Sequence, residues 1–457
     1  MANRQAGKVA GSFRDPDGFL FKGESGQLLR QINESYRADY DRLMIDLYDE
    51  LIEAELLIAH KEMNQRPTSG GYKIIEPKLV PFVSYPYEWS FSQYKDAALT
   101  TLEIQRRSLE AGMSLKDASA YNIQFFRGRP IFIDTLSFEA YEQGQPWVAY
   151  KQFCQHFLAP LALMAHSDVD LSKLMRVYID GIPLPLASKL LPKKTWTSSL
   201  AAHIHFHARS QQKYADKGGS AKQVKMSKVA QVGLIGNLAA VINKLEWKPA
   251  GTEWGEYYTF TNYNDKSFKA KQKLVGEFIK ESKAKTVWDI GANDGSFSRL
   301  ASEQGIETVA FDIDPVAVEK NYRTVRQSGE QNILPLIMDL TNPSPALGWA
   351  HAERQSMIER GPADTVLALA LVHHLAISNN LPLESIAEFL AQIGKKLIIE
   401  FVPKEDSQVK KLLATREDVF PNYTLNGFES ATTQLFRIIS KSTVSGSKRT
   451  LYYLSRK

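Results

Sequence analysis

The sequence predicts an α/β protein in which residues 269–457 form a doubly wound, mostly parallel sheet. In this region short apolar runs alternate with amphipathic helical stretches, which is the pattern of successive βα units. The run Val366–Val372 is apolar at every position, as a strand covered on both faces requires. Two strand-like runs flank Gly446 near the end of the chain and predict an antiparallel hairpin at one edge of the sheet.

The individual elements follow from the same pattern, with apolar and β-branched runs read as strands and periodic stretches between them as helices. The predicted strands are 286–290, 308–312, 333–338, 364–372, 396–402, 435–440 and 450–455. The predicted helices are 297–304, 315–327 and 383–393.

A chain of 457 residues is too long for one compact core. We therefore expect an α+β domain over residues 1–190, a helical connector or lid over 191–268, and the doubly wound domain over 269–457. Within the first domain, a β-like run is predicted at Lys78–Ser84, a helix at Tyr94–Gly112 and a short strand at Ile131–Asp134.

Composition excludes several classes of protein. The 56 basic and 51 acidic residues leave a net charge of +5, which does not call for nucleic acid or an anionic membrane, although nucleic-acid contact stays an alternative. The single Cys154 excludes an internal disulfide and a multi-cysteine zinc cluster, and no metal site is predicted. Because no apolar stretch approaches the roughly 20 residues of a membrane span and no signal peptide begins the chain, we expect a cytoplasmic protein.

The strongest chemical signal is a glycine-containing turn that follows the first strand of the doubly wound domain. Asp289 ends that strand, and Gly291, Asn293 and Gly295 follow it in a G-x-x-x-G arrangement. The next strand ends at Asp312, a carboxylate able to accept both hydroxyls of a ribose. A dinucleotide is an alternative ligand, but Asp289 would repel a pyrophosphate and would attract an ammonium group.

The runs DIGANDGSFS, FDIDP and Met338-Asp339-Leu340 resemble those of class I S-adenosylmethionine-dependent methyltransferases. The resemblance implies that residues 291–295 line the methionine end of the cofactor, that Asp312 takes the ribose, and that Asp339 and Leu340 flank the adenine. The full set of cofactor-binding residues implied is Asp289, Gly291, Asn293, Asp294, Gly295, Asp312, Ile313, Asp339 and Leu340.

Two adjacent histidines, His373 and His374, follow the fourth predicted strand. In the family that this region resembles, the end of that strand lies beside the transferable methyl group. A histidine there can act as a general base, since its ordinary pKa of about 6.5 suits proton removal near neutrality. This favours methylation of oxygen. The alternative is that one histidine packs and the other bonds a backbone carbonyl.

In the first domain, Asp117, Asn122 and Asp134 are spaced in a way that resembles the catalytic and metal-binding loops of protein-kinase-like phosphotransferases. The resemblance implies that Asp117 is a base and that Asn122 and Asp134 hold magnesium with ATP. The pattern departs from the family at Leu115, where a histidine is usual, and at Asp134-Thr135-Leu136, where Asp-Phe-Gly is usual. The alternative is a degenerate domain in which these side chains cap turns.

Nearly the whole chain resembles a bacterial two-domain family of class I methyltransferases related to nodulation proteins. The segments that carry this resemblance include SYPYEWSFSQYKDAALTTLEIQRR, LKDASAYNIQFFRGRPIFIDTLSFE and TEWGEYYTFTNYND. It implies methyl transfer from S-adenosylmethionine, with a small-molecule or glycan hydroxyl as the expected acceptor. Two alternatives stay open: a bifunctional or kinase-led enzyme using ATP-magnesium, and a non-catalytic scaffold that binds the cofactor.

Overall fold

A computed structural model describes residues 7–210, 225–249, 265–414 and 417–457. The chain divides into two compact units: residues 1–248 with 347–354, and residues 249–346 with 355–457. Much of the predicted connector, including 211–224 and 250–264, lies outside the described residues. The expected domain boundaries at 190 and 268 stay predictions.

The first unit combines short strands with helices. Its strands are β1 Gly18–Lys22, β2 Leu28–Asn33, β3 His60–Met63, β4 Gly71–Pro77, β5 Met113–Leu115, β6 Ile123–Phe126, β7 Arg129–Phe132 and β8 Phe138–Ala140. Its α-helices are Arg37–Asp46, Tyr48–Glu53, Phe91–Glu110, Tyr150–Phe153, Ala159–His166, Leu174–Val177, Leu184–Leu190 and Lys228–Lys244. The first four strands form an antiparallel sheet in the order β1-β2-β4-β3, and the others pair as β5 with β8 and β6 with β7.

The central helix of the first unit, Phe91–Glu110, begins at a capping box. The Ser90 hydroxyl accepts the amide of Gln93, and the Gln93 side chain accepts the amide of Ser90, which satisfies two otherwise unpaired donors. The helix thus starts three residues earlier than predicted. The β-like run expected at Lys78–Ser84 is wrong: the strand is β4, and the chain leaves the sheet at Pro77, which has no amide hydrogen to continue a ladder.

The second unit contains one seven-stranded sheet. Its strands are β9 Thr286–Ile290, β10 Glu307–Asp312, β11 Ile333–Ile337, β12 Ala363–Ala368, β13 Gly394–Phe401, β14 Phe436–Thr443 and β15 Thr450–Arg456. Its α-helices are Asp265–Ser282, Ser298–Ser302, Pro315–Ser328, Leu383–Ile393, Ser407–Leu413 and Leu425–Leu435. The strand order is β11-β10-β9-β12-β13-β15-β14, and the last two strands form an antiparallel hairpin. The doubly wound sheet with an antiparallel edge is therefore confirmed.

Both faces of this sheet are buried, as the continuous apolar strands predict. On one face Val287, Leu367 and Ile398 pack in a core cluster with residues of the helices Asp265–Ser282 and Ser298–Ser302. On the other face the Phe401 ring lies 5.2 Å from that of Phe428, on the helix Leu425–Leu435. Because the strand order reverses between β9 and β12, a crevice is expected at their carboxyl ends.

The strand predicted over 364–372 ends early, at Ala368. Ala370 adopts a φ of +50°, which a residue with a Cβ rarely takes and which a strand cannot accommodate. A π-helical turn, His374–Ser378, follows directly. The apolar run is thus divided between a strand and the turn that carries the two histidines.

No helix in the described ranges is both long enough and apolar enough to cross a bilayer.

Candidate active site

The predicted cofactor-binding residues of the second unit all lie at or just after the carboxyl ends of β9, β10 and β11. These strands are parallel neighbours, so their ends meet at one edge of the sheet. β12 lies on the other side of β9, also parallel, and its following turn carries His373 and His374. The structure therefore gathers residues from four separate sequence motifs beside the point where the strand order reverses.

The turn after β9 depends on left-handed backbone at Gly291 and Gly295, with φ of +80° and +82°. A Cβ on Gly295 would lie only 2.5 Å from Asn321 Nδ2, so the position has no room for a side chain. Asn293 also has a positive φ, of 51°, which asparagine tolerates better than most residues. These conformations bring the backbone, rather than side chains, to the edge of the crevice.

Asp312 ends β10 and connects it to the glycine turn. Its Oδ2 accepts the amide of Asn293 at 2.7 Å, and its Oδ1 accepts the amide of Asp314 at 2.9 Å. Burial raises the pKa of Asp312 to about 6, although these backbone hydrogen bonds oppose the rise. The side chain is therefore an ionised, fixed acceptor at neutral pH.

Asp289, at the end of β9, is 1% exposed. Its Oδ2 accepts the Ser298 hydroxyl at 2.6 Å. Burial raises the pKa of Asp289 to about 7, and the charge of Asp312 adds to the rise while the Ser298 hydrogen bond and Lys271 oppose it. A cationic group entering the crevice would stabilise the ionised form.

The remaining predicted residues line the outer part of the same edge. Ile313, which directly follows Asp312, is an apolar residue that is 51% exposed. Asp339 and Leu340 are half-buried after β11, and Asp339 Oδ1 accepts both the amide and the hydroxyl of Thr341. Asp294 closes the glycine turn by accepting the amide and hydroxyl of Ser296.

The two histidines differ in their surroundings. His373 is fully buried, and neither of its ring nitrogens has a hydrogen-bond partner among the residues that the structure describes, whereas His374 is half-buried. Their ring centroids are 4.1 Å apart. Burial, then the positive charges nearby, lowers the pKa of His373 well below its ordinary value, and the pKa of His374 to about 4. Both imidazoles are therefore neutral at physiological pH.

The sequence did not reveal a buried ionic network beside these histidines. Lys271 Nζ donates to Glu400 Oε2 at 2.7 Å, and Arg449 Nη1 lies 3.8 Å from Glu400 Oε1. Arg449 also donates to Asp406 Oδ2 at 2.8 Å. A signal for Lys271 existed: it occupies the apolar face of its helix, at helical spacing from Phe268 and Val275.

The three residues of the first unit predicted to bind nucleotide and magnesium are brought together. Asn122 hydrogen-bonds the Asp117 side chain and donates to Ser137 Oγ at 3.2 Å, and Ser137 in turn donates to Asp134. Asp134, however, is also paired with the Arg30 guanidinium. No group of three or more potential metal-ligating His, Cys, Asp or Glu side chains occurs within the described ranges. ATP-magnesium binding stays a prediction.

Comparisons with known proteins identify one relative over nearly the full chain. The nodulation protein NoeA of Rhizobium meliloti (strain 1021) is 38% identical over 462 residues, covering 98% of this chain and 96% of the relative. No protein-family model matches the sequence.

Solved structures are similar to part of the chain. Magnesium protoporphyrin IX methyltransferase (ChlM) from Synechocystis PCC 6803 is 18% identical, with a TM-score of 0.32, over 45% of this chain and 93% of that chain. N-methyltransferase NodS from Bradyrhizobium japonicum WM9 is 10% identical, with a TM-score of 0.30, over 42% of this chain and 98% of that chain.

Arg30→Met should lower the free energy of unfolding by about 1–3 kcal/mol, because it leaves the partly buried carboxylates of Asp134 and Asp15 without their cationic partner. The matched control is Arg37→Met: this arginine is 57% exposed and pairs with an equally exposed Glu34, so a loss under about 1 kcal/mol is expected. Urea denaturation of both variants measures the difference. Equal losses would show that Arg30 is not the structural centre of this cluster.

Asp289→Asn should stabilise the protein increasingly as pH rises. The unfolded chain releases this proton near the ordinary pKa of 3.8, while the folded protein keeps it until about pH 7. Wild-type stability is therefore lost across that window, and the advantage of asparagine should grow by about 1–2 kcal/mol between pH 5.5 and pH 8. Urea denaturation at the two pH values measures it.

Asp364→Asn is the control for this pH dependence. Burial pushes the pKa of Asp364 up, but hydrogen bonds from Lys395 and two backbone amides bring it below its ordinary value. Its substitution should have the same effect at pH 5.5 and pH 8. A pH-independent effect of Asp289→Asn as well would mean that Asp289 titrates normally.

Proposed function

The chain belongs to the family of the nodulation protein NoeA, and we propose that it transfers a methyl group from S-adenosylmethionine to a hydroxyl oxygen of a small molecule or glycan. The observation that carries the proposal is Asp312. It is a buried carboxylate at the end of the second parallel strand, held by the amide of Asn293 in the glycine turn. A rigid acceptor in that place suits the paired hydroxyls of a ribose.

The residues at this edge fit the whole cofactor. Asp312 would accept the ribose hydroxyls, while exposed Ile313 and half-buried Leu340 offer apolar surface to the adenine. The left-handed backbone at Gly291 and Gly295 shapes the turn that would lie against the methionine portion. Asp289 would face the ammonium group, because burial has removed the water that would solvate its charge and a cation would replace that stabilisation.

When bound, S-adenosylmethionine supplies a methyl group made electrophilic by its sulfonium. The turn after β12 would position the acceptor beside it, since this turn packs against the glycine turn. A Cβ added at Gly291 would lie only 3.3 Å from Leu371 Cδ1. A histidine of the turn after β12, His373 or His374, would accept the hydrogen bond of the acceptor hydroxyl. Because burial lowers the pKa of both imidazoles, either is a weaker base than the ordinary histidine pKa implies, and it would take the proton only as the oxygen is methylated and its O–H becomes strongly acidic.

His373 is the better candidate for this role. Within the described ranges neither nitrogen of this buried imidazole has a partner, and a buried polar group that loses its hydrogen bonds to water without replacing them costs about 1–3 kcal/mol. An acceptor hydroxyl would restore one of these bonds. The neutral state of the ring leaves one nitrogen with a lone pair for that purpose.

Calorimetric titration of S-adenosylhomocysteine tests the cofactor site. Wild-type protein should bind it, and Asp312→Ala should bind tenfold to a hundredfold more weakly because the ribose loses hydrogen bonds to a charged acceptor. Glu388→Ala removes an exposed carboxylate from the helix Leu383–Ile393 and should bind as the wild type does. A wild-type protein that binds no S-adenosylhomocysteine would refute the proposed function.

His373→Leu tests the histidine without requiring the acceptor. Removing an unsatisfied buried imidazole should raise the free energy of unfolding by about 1–3 kcal/mol, and S-adenosylhomocysteine affinity should change little. His374→Leu is the control and should bring no such gain, since His374 is only partly buried. Urea denaturation measures both. If His373→Leu is less stable than the wild type, the imidazole is satisfied in the folded protein and the assignment is wrong.

A further inference from the structure

Lys271 is a buried cation with no role in the proposed methyl transfer described above. Its side chain is 3% exposed and lies on the inner face of the helix Asp265–Ser282, which packs on the sheet. Burying an ammonium group costs several kcal/mol unless partners compensate for the lost water. A lysine on an apolar helix face therefore lowers the stability of the fold unless other groups stabilise its charge, which points to a functional role.

The ammonium group lies between the two turns that border the crevice. Lys271 Nζ is 4.7 Å from the ring centroid of Phe297, which follows the glycine turn after β9. Its partner Glu400 Oε2 also accepts the amide of Ala370, at 2.8 Å, in the turn after β12. Lys271 is thus placed at the reversal of strand order, where open α/β sheets bind ligands.

A second buried charge, Asp289, lies close enough to Lys271 to influence its ionisation. Burial lowers the pKa of Lys271 and raises that of Asp289, so both groups lack solvation for their charged forms. One carboxylate and one ammonium at the same crevice match a ligand that carries both opposite charges on one carbon. An α-amino acid group has this character.

We propose that Lys271 binds the α-carboxylate of the cofactor's methionine portion, while Asp289 faces its ammonium group. This rests on the proposed function, because it assigns a residue to the same cofactor. Lys271 and Asp289 would then recognise the amino-acid end of the cofactor, whereas Asp312 would recognise its ribose. This role also explains why a helix that precedes the glycine turn carries a buried lysine.

The test compares two ligands that differ only in the carboxylate: S-adenosylhomocysteine and its decarboxylated amine. In calorimetric titrations the wild type should prefer S-adenosylhomocysteine. Lys271→Met, which keeps the length of the side chain, should reduce that preference tenfold to a hundredfold by weakening S-adenosylhomocysteine alone. Affinity for the amine reports that the rest of the site is intact.

Lys280→Met is the matched control, because it removes an exposed lysine from the same helix and keeps both Lys271 and Glu400. This variant should retain the preference for the carboxylate. If Lys271→Met leaves Glu400 unpaired and does not fold, the double variant Lys271→Met/Glu400→Gln removes both charges and should show the same loss of preference.

The outcomes separate this inference from the proposed function. A wild type that binds both ligands equally, or a folded Lys271→Met variant with unchanged preference, would overturn the role of Lys271 and leave the cofactor site standing. Failure of the wild type to bind either ligand would overturn both.

Discussion

The buried carboxylate of Glu400 is the point on which the crevice of the second unit depends. Its Oε2 accepts hydrogen bonds from the ammonium of Lys271 and the amide of Ala370, and its Oε1 lies near the guanidinium of Arg449. These partners come from a helix, from the turn after the fourth strand, and from the segment before the last strand. A single charge therefore joins three elements that are distant in sequence. It also supports the strained φ of Ala370, which directs the chain into the histidine turn.

The two units use buried charge in different ways. In the first unit Arg30 pairs with Asp15 and Asp134, and each carboxylate accepts a further backbone amide. In the second unit Asp289 has an elevated pKa, and His373 has no hydrogen-bond partner among the described residues. Groups left poorly satisfied in a folded protein are common where a ligand completes the site.

Much of the second unit was predictable because its signals are local. The strand Thr286–Ile290 and the helix Leu383–Ile393 were predicted with their observed bounds. The turn at Gly291 and Gly295 and the strand end at Asp312 were placed correctly, because a tight turn needs glycine and an apolar run that stops at a carboxylate marks the end of a strand. The end of β12 was not predictable, since an apolar run reads alike in a strand and in a buried turn. The run Lys78–Ser84 failed for another reason: the strand ends at Pro77, which cannot continue the ladder, and Leu79 and Val83 are exposed.

The sequence by itself determined the doubly wound sheet, its closing hairpin and the residues of the glycine turn, because periodicity and glycine spacing act over a few neighbouring residues. Only the tertiary structure decided which charges meet. Lys271 and Glu400 are 129 positions apart, and no local pattern pairs them. It also decided that His373 is buried with no partner in the described part of the chain, while its neighbour His374 is partly exposed. Burial and long-range electrostatics depend on packing in three dimensions, and they give these side chains their chemical character.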